Sequence, residues 1–386
     1  MAEVVRFGVI GAGGMGSGHC GMLGTIPEAE LTAVADIDAG VRTAISAKYS
    51  VPAFENATEL LESGLVDAVI IATPHYDHPP IAVQAFSQGL HVMSEKPLGV
   101  TVSGADSMIS AAKEAAKEYG SKFGVMYQMR AEGPNLAAKS VIESGVLGDI
   151  RRTNLVMGWY RSQAYYNSGG WRATWAGEGG GVLINQSPHA LDLFTWLGGL
   201  PVKITGTTRT VLHDIEVEDE AFAVLEYANG AHGYLYTTTN QSPQQQGLEI
   251  CGDKGKLTLD YSGLKVVLNE TSVSEFTRNN TEMWASPETQ PYPVEIPQEG
   301  EIKSHAAITQ NFARAILFGE PLIAPGEEGL NAVELINGII LSSKTGESVS
   351  TPVDRAAYDA LIEELKASSK RKTNVVENRV TDPKFA

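Results

Sequence analysis

A glycine turn set between a buried-type strand and a helix constrains this chain more than any other feature. Val4-Val5-Arg6-Phe7-Gly8-Val9-Ile10 is a short apolar run that leads straight into Gly11-Ala12-Gly13-Gly14-Met15-Gly16. Helix-compatible sequence follows. A strand, a bare-backbone turn and a helix N-terminus together make an anion site, where helix amides and dipole favour a pyrophosphate. Glycine-rich turns are common, so the position of the next acid decides the matter. Leu31-Thr32-Ala33-Val34-Ala35 reads as a second strand, and Asp36 ends it, 20 residues beyond Gly16. An acid there accepts hydrogen bonds from the adenosine ribose hydroxyls and repels a 2′-phosphate. Gly11, Gly13, Gly14, Met15, Gly16, Asp36 and the adjacent Ile37 are the expected dinucleotide contacts, with NAD favoured over NADP. The plain alternative for Asp36 is a helix N-cap.

The alternation continues to residue 128. Asp67-Ala68-Val69-Ile70-Ile71-Ala72 is a buried-type strand that ends in Thr73-Pro74-His75-Tyr76-Asp77-His78. Leu90-His91-Val92-Met93 is another, ending in Ser94-Glu95-Lys96-Pro97. Helical patterns occupy 43–49, 58–63, 80–88 and 103–119, and Phe123-Gly124-Val125-Met126-Tyr127 is the last strand. Strands alternating with helices imply a doubly wound parallel sheet. Thr73, Pro74, Glu95 and Lys96 then lie at strand carboxyl ends, where such sheets bind ligands. A lysine there can hydrogen-bond a substrate hydroxyl, or move a proton if its pKa is lowered. The plain alternative is a surface Glu-Lys pair.

From residue 129 the pattern changes. A helix over 135–144 is followed by β-type runs at 150–159, 202–212, 221–227, 231–239, 247–251, 256–261 and 264–268. Short turns join several of them, so a mostly antiparallel sheet is expected. Residues 270–303 read as loop, 306–318 and 329–344 as helices, and the tail from 368 as polar and extended. The expected domains are 1–128, 129–367 and the tail 368–386.

Two stretches of the second domain carry possible chemistry. One is the aromatic loop with Tyr165, Tyr166, Trp171, Arg172 and Trp175. Its rings can stack on a sugar or a nicotinamide, and its guanidinium can meet a phosphate or hydroxyl. The plain alternative is a loop packed over the sheet. The other is Gly179-Gly180-Gly181-Val182-Leu183-Ile184-Asn185-Gln186-Ser187-Pro188-His189-Ala190-Leu191-Asp192. Ser187 and Pro188 suit an N-cap and first helical position. His189 then occupies the first turn, where the dipole keeps it neutral, with Asp192 on the same face to orient the ring. The plain alternative is a histidine satisfied inside a core helix.

The net charge of −17 argues against nonspecific binding to nucleic acid or an anionic membrane. Cys20 and Cys251 match no metal or redox spacing and read as two buried thiols in a reducing compartment. No metal site is implied, because no His, Cys and carboxylate cluster has ligand spacing. With no span-length apolar run and no leader pattern, a cytoplasmic protein is expected.

Taken together these motifs resemble the Gfo/Idh/MocA oxidoreductases. The resemblance runs from Phe7 to about Leu365. It rests on the glycine turn, Ala72-Thr73-Pro74 with His78, Glu95-Lys96-Pro97, Gly179-Gly180-Gly181 and His189-Ala190-Leu191-Asp192. It implies a Rossmann domain and a C-terminal α/β domain whose large, open, mostly antiparallel sheet joins subunits into a homodimer or homotetramer. It implies NAD(P), with Thr73, Pro74, His75, His78, Glu95, Lys96, Trp171 and Arg172 at the cofactor, and a sugar, glycoside or cyclitol substrate. Lys96 would polarise the reacting hydroxyl and His189 would take its proton. Many members place aspartate four residues before that histidine, whereas this chain has Asn185, which can hydrogen-bond but cannot ionise. Asn185, Asp192, Tyr165, Tyr166 and Trp175 are the expected substrate contacts.

Net oxidation by NAD is the leading reading. A redox-neutral glycosidase or eliminase would use the same oxidation transiently, and a non-catalytic NAD- or sugar-sensing regulator would use the fold alone.

Overall fold

The computed structural model describes residues 4–298, 300–370 and 372–376. Strands β1 (Val5–Ile10), β2 (Ala29–Ala35), β3 (Ala53–Phe54), β4 (Ala68–Ile71), β5 (His91–Ser94) and β6 (Phe123–Val125) form one sheet in the order β3-β2-β1-β4-β5-β6. Every pair is parallel. Strand order reverses between β1 and β4, and a ligand crevice opens at such a switch point. The glycine turn leaves β1 there and Thr73-Pro74 leaves β4, with Glu95-Lys96 following β5. The edge strand β3 has only two residues, too few for an apolar run to announce it. The expected 43–49 helix begins earlier, at Ala39, because Asp38 caps it by accepting from Gly40 and Val41 amides at 2.8 and 3.0 Å. The cap is therefore Asp38 and not Asp36.

The second sheet contains β7 (Ile150–Tyr160), β8 (Lys203–Arg209), β9 (Glu220–Glu226), β10 (His232–Thr238), β11 (Asn240–Gly252), β12 (Gly255–Asp260), β13 (Gly263–Asn269), β14 (Thr289–Pro291) and β15 (Val349–Ser350). Their order is β14-β13-β12-β11-β7-β10-β9-β8-β15. Among the described residues only β7 and β10 of this sheet pair in parallel. Strand β11 extends well ahead of the expected 247–251, through Asn240-Gln241-Ser242-Pro243, where no apolar alternation marks it. The 270–303 stretch is not all loop. It holds a helix, Val273–Asn279, capped by Ser272, and the edge strand β14. Cys20 is buried as expected, and burial pushes its thiol up to about 12. Cys251 is only half-buried, beside Arg152 at 3.2 Å.

The C-terminal third returns to the first sheet. Neighbouring residues of a strand face opposite ways. Phe7 meets Phe312 of the Ser304–Phe318 helix, ring centroids 6.3 Å apart. On the other face, a Cβ at Gly8 would lie 2.8 Å from Leu60. Beyond β6, the Val125 amide donates to Ala324 O at 3.1 Å. Asn337, fully buried in the Gly329–Thr345 helix, accepts from the Val102 amide and donates to Val100 O, both at 2.9 Å. The loop after Lys96-Pro97 is thus held from outside its own domain. The expected tail is described only to 376, without residue 371; the remainder lies outside the described residues. Within it, Lys372 Nζ donates to Tyr166 O at 2.6 Å and the Val376 amide to Asn167 O at 2.9 Å. No helix among the described residues is long and apolar enough to cross a membrane.

One buried ion group ties these parts together. Arg130 is 1% exposed and donates to Asp192 through Nη2 at 2.6 Å and Nε at 2.8 Å, and to Glu328 through Nη1. Removing one partner of a buried pair leaves an uncompensated charge. Arg130→Ala is expected to destabilise the fold by about 3–5 kcal/mol. Urea unfolding checks this, and a loss below about 1 kcal/mol would assign the group no such role.

Candidate active site

The glycine turn has the shape a pyrophosphate requires. Gly11 has φ +84, and a Cβ there would lie 2.8 Å from Ala72 C and O. At Gly16 a Cβ would lie 1.8 Å from Gly11 O, so the first helix packs directly on the turn. Gly13 differs: a Cβ there would meet nothing within 4 Å. That open side, at the start of the Gly14–Leu23 helix with no side-chain cap, fits an incoming phosphate. Met15 occupies the first turn of this helix, half-buried. Asp36 accepts from the Ala12 amide at 2.9 Å and the Asp38 amide at 2.8 Å, which fixes its carboxylate over the turn. Ile37 beside it, another expected dinucleotide contact, is 88% exposed.

Across the switch point, Thr73-Pro74 abuts Gly11, and a Cβ on Gly11 would be 2.9 Å from Thr73 N. His78 joins the two loops, its ring nitrogens 2.8 Å from Pro97 O and 2.9 Å from Thr73 O. It is buried, so it braces the cofactor wall rather than lining it. His75 is also buried, with Nδ1 2.9 Å from Glu178 O and its ring edge-on to Trp171, centroids 6.2 Å apart. Burial, with the charge of His78, lowers its pKa to about 3. Trp171 is 37% exposed, and Arg172 stacks over it and over Tyr165.

Glu95 turns away from the cleft. Its Oε1 meets His19 Nε2 at 2.8 Å and its Oε2 accepts from the Lys96 amide at 3.1 Å. Burial opposes its ionisation, but the His19 hydrogen bond and charge outweigh burial and hold it below the usual carboxylate range. Lys96 points into the cleft and donates from Nζ to Asn185 O at 3.2 Å. Burial lowers its pKa, while Glu95 and Glu178 act in the opposite direction. The Lys96-Pro97 peptide is cis.

The glycine triplet ends in a π-helical turn, Val182–Gln186, which carries Asn185. Single π turns interrupt the regular ladder and re-aim side chains. Glu218 holds this turn by accepting from the Gly181 and Leu183 amides at 2.9 and 3.1 Å, and burial raises its carboxyl to about 7. Pro188 opens the next helix, Pro188–Gly198. Ser187 does not cap it with its side chain, because its hydroxyl bonds Thr237 at 2.6 Å.

His189 faces the cleft, half-buried. Its Nε2 lies 3.3 Å from Gln128 Nε2, and its ring is edge-on to Tyr127, centroids 6.0 Å apart. Nδ1 is buried with no partner among the described residues. Burial, then the charge of Lys96, lowers its pKa well below 6.5. Asp192 does not orient this ring. Both its oxygens receive Arg130, and burial raises it to about 6 despite that partner.

The aromatic loop divides in two. Tyr165 joins the cleft: its hydroxyl accepts from Arg172 and from Gln186, each at 2.5 Å. Tyr166 and Trp175 do not. Tyr166 is 2% exposed, bonded to Thr239 at 2.7 Å and packed on His213. Trp175 is 5% exposed and donates to Glu216 O at 3.2 Å. Two residues were missed from sequence, Gln128 and Glu178. Each had a positional signal: Gln128 follows the last parallel strand, at its ligand-binding end, and Glu178 is the charge placed directly before three glycines.

Comparison with known proteins agrees with this geometry. Residues 5–123 match the oxidoreductase family with the NAD-binding Rossmann fold. Residues 135–258 match the GFO/IDH/MocA C-terminal domain. The inositol 2-dehydrogenase of Pseudarthrobacter chlorophenolicus is 30% identical over 276 residues, spanning 67% of this chain and 77% of that protein. That of Rubrobacter xylanophilus is 29% identical over 262 residues, spanning 66% and 71%. Among solved structures, the WlbA dehydrogenase of Bordetella pertussis, in complex with NADH and UDP-GlcNAcA, superposes with a TM-score of 0.75 at 27% identity. That match covers 91% of this chain and 100% of WlbA. Levoglucosan dehydrogenase in complex with NADH shares the fold, with a TM-score of 0.75 at 20% identity over 91% of this chain and 100% of that one. The chain belongs to the Gfo/Idh/MocA family of NAD-binding oxidoreductases.

Proposed function

We propose that this oxidoreductase oxidises a secondary hydroxyl of a sugar, glycoside or cyclitol, with Lys96 and His189 at the reacting group. The observation that carries the reading is that the two side chains share one cleft within electrostatic reach, beside the glycine turn, both with lowered pKa. Relatives named inositol 2-dehydrogenase, and WlbA with UDP-GlcNAcA bound, support a polyhydroxylated substrate.

When bound, NAD supplies the hydride acceptor. Lys96 donates a hydrogen bond to the hydroxyl oxygen and makes that hydroxyl more acidic. His189, neutral in the cleft, takes its proton as the C–H hydride leaves with its electron pair and the carbonyl forms. A buried imidazole is a weak base, and the Lys96 ammonium offsets this by stabilising the alkoxide. Tyr165, Arg172 and Asn185 line the cleft as binding groups. Exposed Phe222, Val224 and Tyr234 share one face of the second sheet, where a second copy of the chain would dock.

Absorbance at 340 nm with NAD and a panel of inositols, hexoses and glucosides tests the reading. NADH is expected with one class; its absence throughout, with glycoside cleaved instead, would favour the redox-neutral cycle. Lys96→Ala and His189→Ala should each lower kcat by about 10²–10⁴-fold. Wild-type turnover in either would refute the assignment.

The pH profile has a defined sign. His189 must be unprotonated and its folded pKa is depressed, so the acid limb of kcat/KM should fall below pH 6.5. Lys96 must be protonated and its pKa is also depressed, so the alkaline limb should fall below pH 10.5. Limbs at or above these values would contradict the roles.

The cofactor cradle can be tested separately. Gly13→Ala should leave the melting temperature nearly unchanged but weaken NADH binding, whereas Gly16→Ala should destabilise the fold. Asp36→Ala should narrow the preference for NADH over NADPH. Fluorescence titration and thermal melts read both, and tighter wild-type binding of NADPH would overturn the role of Asp36.

A further inference from the structure

The carboxylate before the glycine triplet is placed where an acceptor group is needed. Glu178 is 1% exposed, and three groups from two segments converge on it. The Ala173 amide donates to Oε2 at 2.6 Å, Asn185 Nδ2 donates to Oε1, and Arg172 Nη1 lies 3.8 Å from the same oxygen. Burial raises its pKa, while Arg172, the Ala173 amide and the Asn185 amide pull it toward the ionised form. The tight triplet makes this possible: Gly179 and Gly180 have φ +82 and +155, which L side chains rarely adopt.

Both Glu178 oxygens accept here, and an accepting oxygen can face only the NH₂ end of an amide. Asn185 is thereby held one way round, nitrogen toward Glu178 and oxygen away. That oxygen makes no hydrogen bond within the described residues, while the main-chain carbonyl of Asn185 holds Lys96 Nζ at 3.2 Å. The residue whose main-chain carbonyl holds the Lys96 ammonium thus also carries a side-chain acceptor unused among the described residues.

We propose that Glu178 is a positioning residue that orients the Asn185 amide so that its Oδ1 accepts from a substrate hydroxyl beside Lys96. This rests on the polyol reading given above. The pair reproduces the acceptor an aspartate at 185 would offer, with the negative charge one group further from Lys96. The substrate class it selects is a vicinal diol: one hydroxyl reacts at Lys96 and its neighbour donates to Asn185.

Reciprocal variants test this. In Glu178→Gln the Ala173 amide still calls for an oxygen, so the new NH₂ faces Asn185 and turns that amide around. A donor then replaces the acceptor in the cleft. On the polyol that wild type oxidises, kcat/KM should drop on the order of 10- to 100-fold, chiefly through KM. Asn185→Asp in the Glu178→Gln background restores an acceptor and should recover activity to within a few-fold. NADH affinity should not move in either. An unchanged KM in Glu178→Gln, or a double variant no better than the single, overturns the proposal. Asn185→Ala provides a second route if Glu178→Gln does not fold: it should raise KM at least about tenfold, and an unchanged KM refutes the role.

One readout needs no substrate. The Asn185 side-chain amide resonance in ¹⁵N-labelled protein, identified by its loss in Asn185→Asp, should shift strongly in Glu178→Gln. An unmoved resonance overturns the pair whether or not a polyol is oxidised. Absence of oxidation with a shifted resonance would instead refute the polyol reading alone.

Discussion

An ammonium taken out of water needs partners, and Lys96 finds them only where the two halves of the chain meet. Strand β5 delivers it to the cleft, and the π-helical turn of the second domain supplies the carbonyl that accepts from it. Glu95 and Glu178, one from each half, flank it with negative charge. The same ammonium lowers the pKa of His189, adding to the effect of burial. Burial and this interdomain contact thus act together on the charge of both side chains. On the reading proposed above the donor must stay charged and the acceptor neutral: burial and the nearby ammonium favour the neutral imidazole, while Glu95 and Glu178 oppose the effect of burial on Lys96.

Most of the architecture is legible in the sequence because parallel strands are buried on both faces and read as apolar runs. The nucleotide cradle is legible for a different reason: only glycine satisfies the contacts at Gly11 and Gly16, so the chemistry leaves a residue-level mark. The second sheet is clear where strands alternate and obscure where they do not, as in the polar start of β11. Side-chain partners are harder to foresee. Asp192 lies one helical turn from His189, and helical spacing alone pairs them, yet Arg130, 62 residues earlier in the chain, takes both its oxygens. Tyr166 and Trp175 carry the composition of a sugar platform but lie in the core, since large rings bury area wherever the backbone leads them. Glu178 and Gln128 could not be ranked by type, because a lone carboxylate or amide carries no spacing signature.

The two domains are also continuous in their packing. Phe312 covers one face of β1, and Asn337 satisfies main-chain groups on both sides of the loop that follows Lys96-Pro97. Both come from the C-terminal third. The hydrophobic core accordingly runs from Val5 to Ile362 without a break. Both sheets therefore share one core, to which residues from the whole length of the chain contribute.

That continuity bears on how chains of this kind can be recombined. A nucleotide-binding unit ending near Tyr127 would carry an uncovered apolar face at Phe7 and unpaired main-chain groups at Val100 and Val102. Grafting it onto a foreign substrate module would require the donor's 304–345 helices to travel with it. The modular boundary useful for building chimaeras is therefore set by three-dimensional wrapping, and it takes in two separate stretches of sequence.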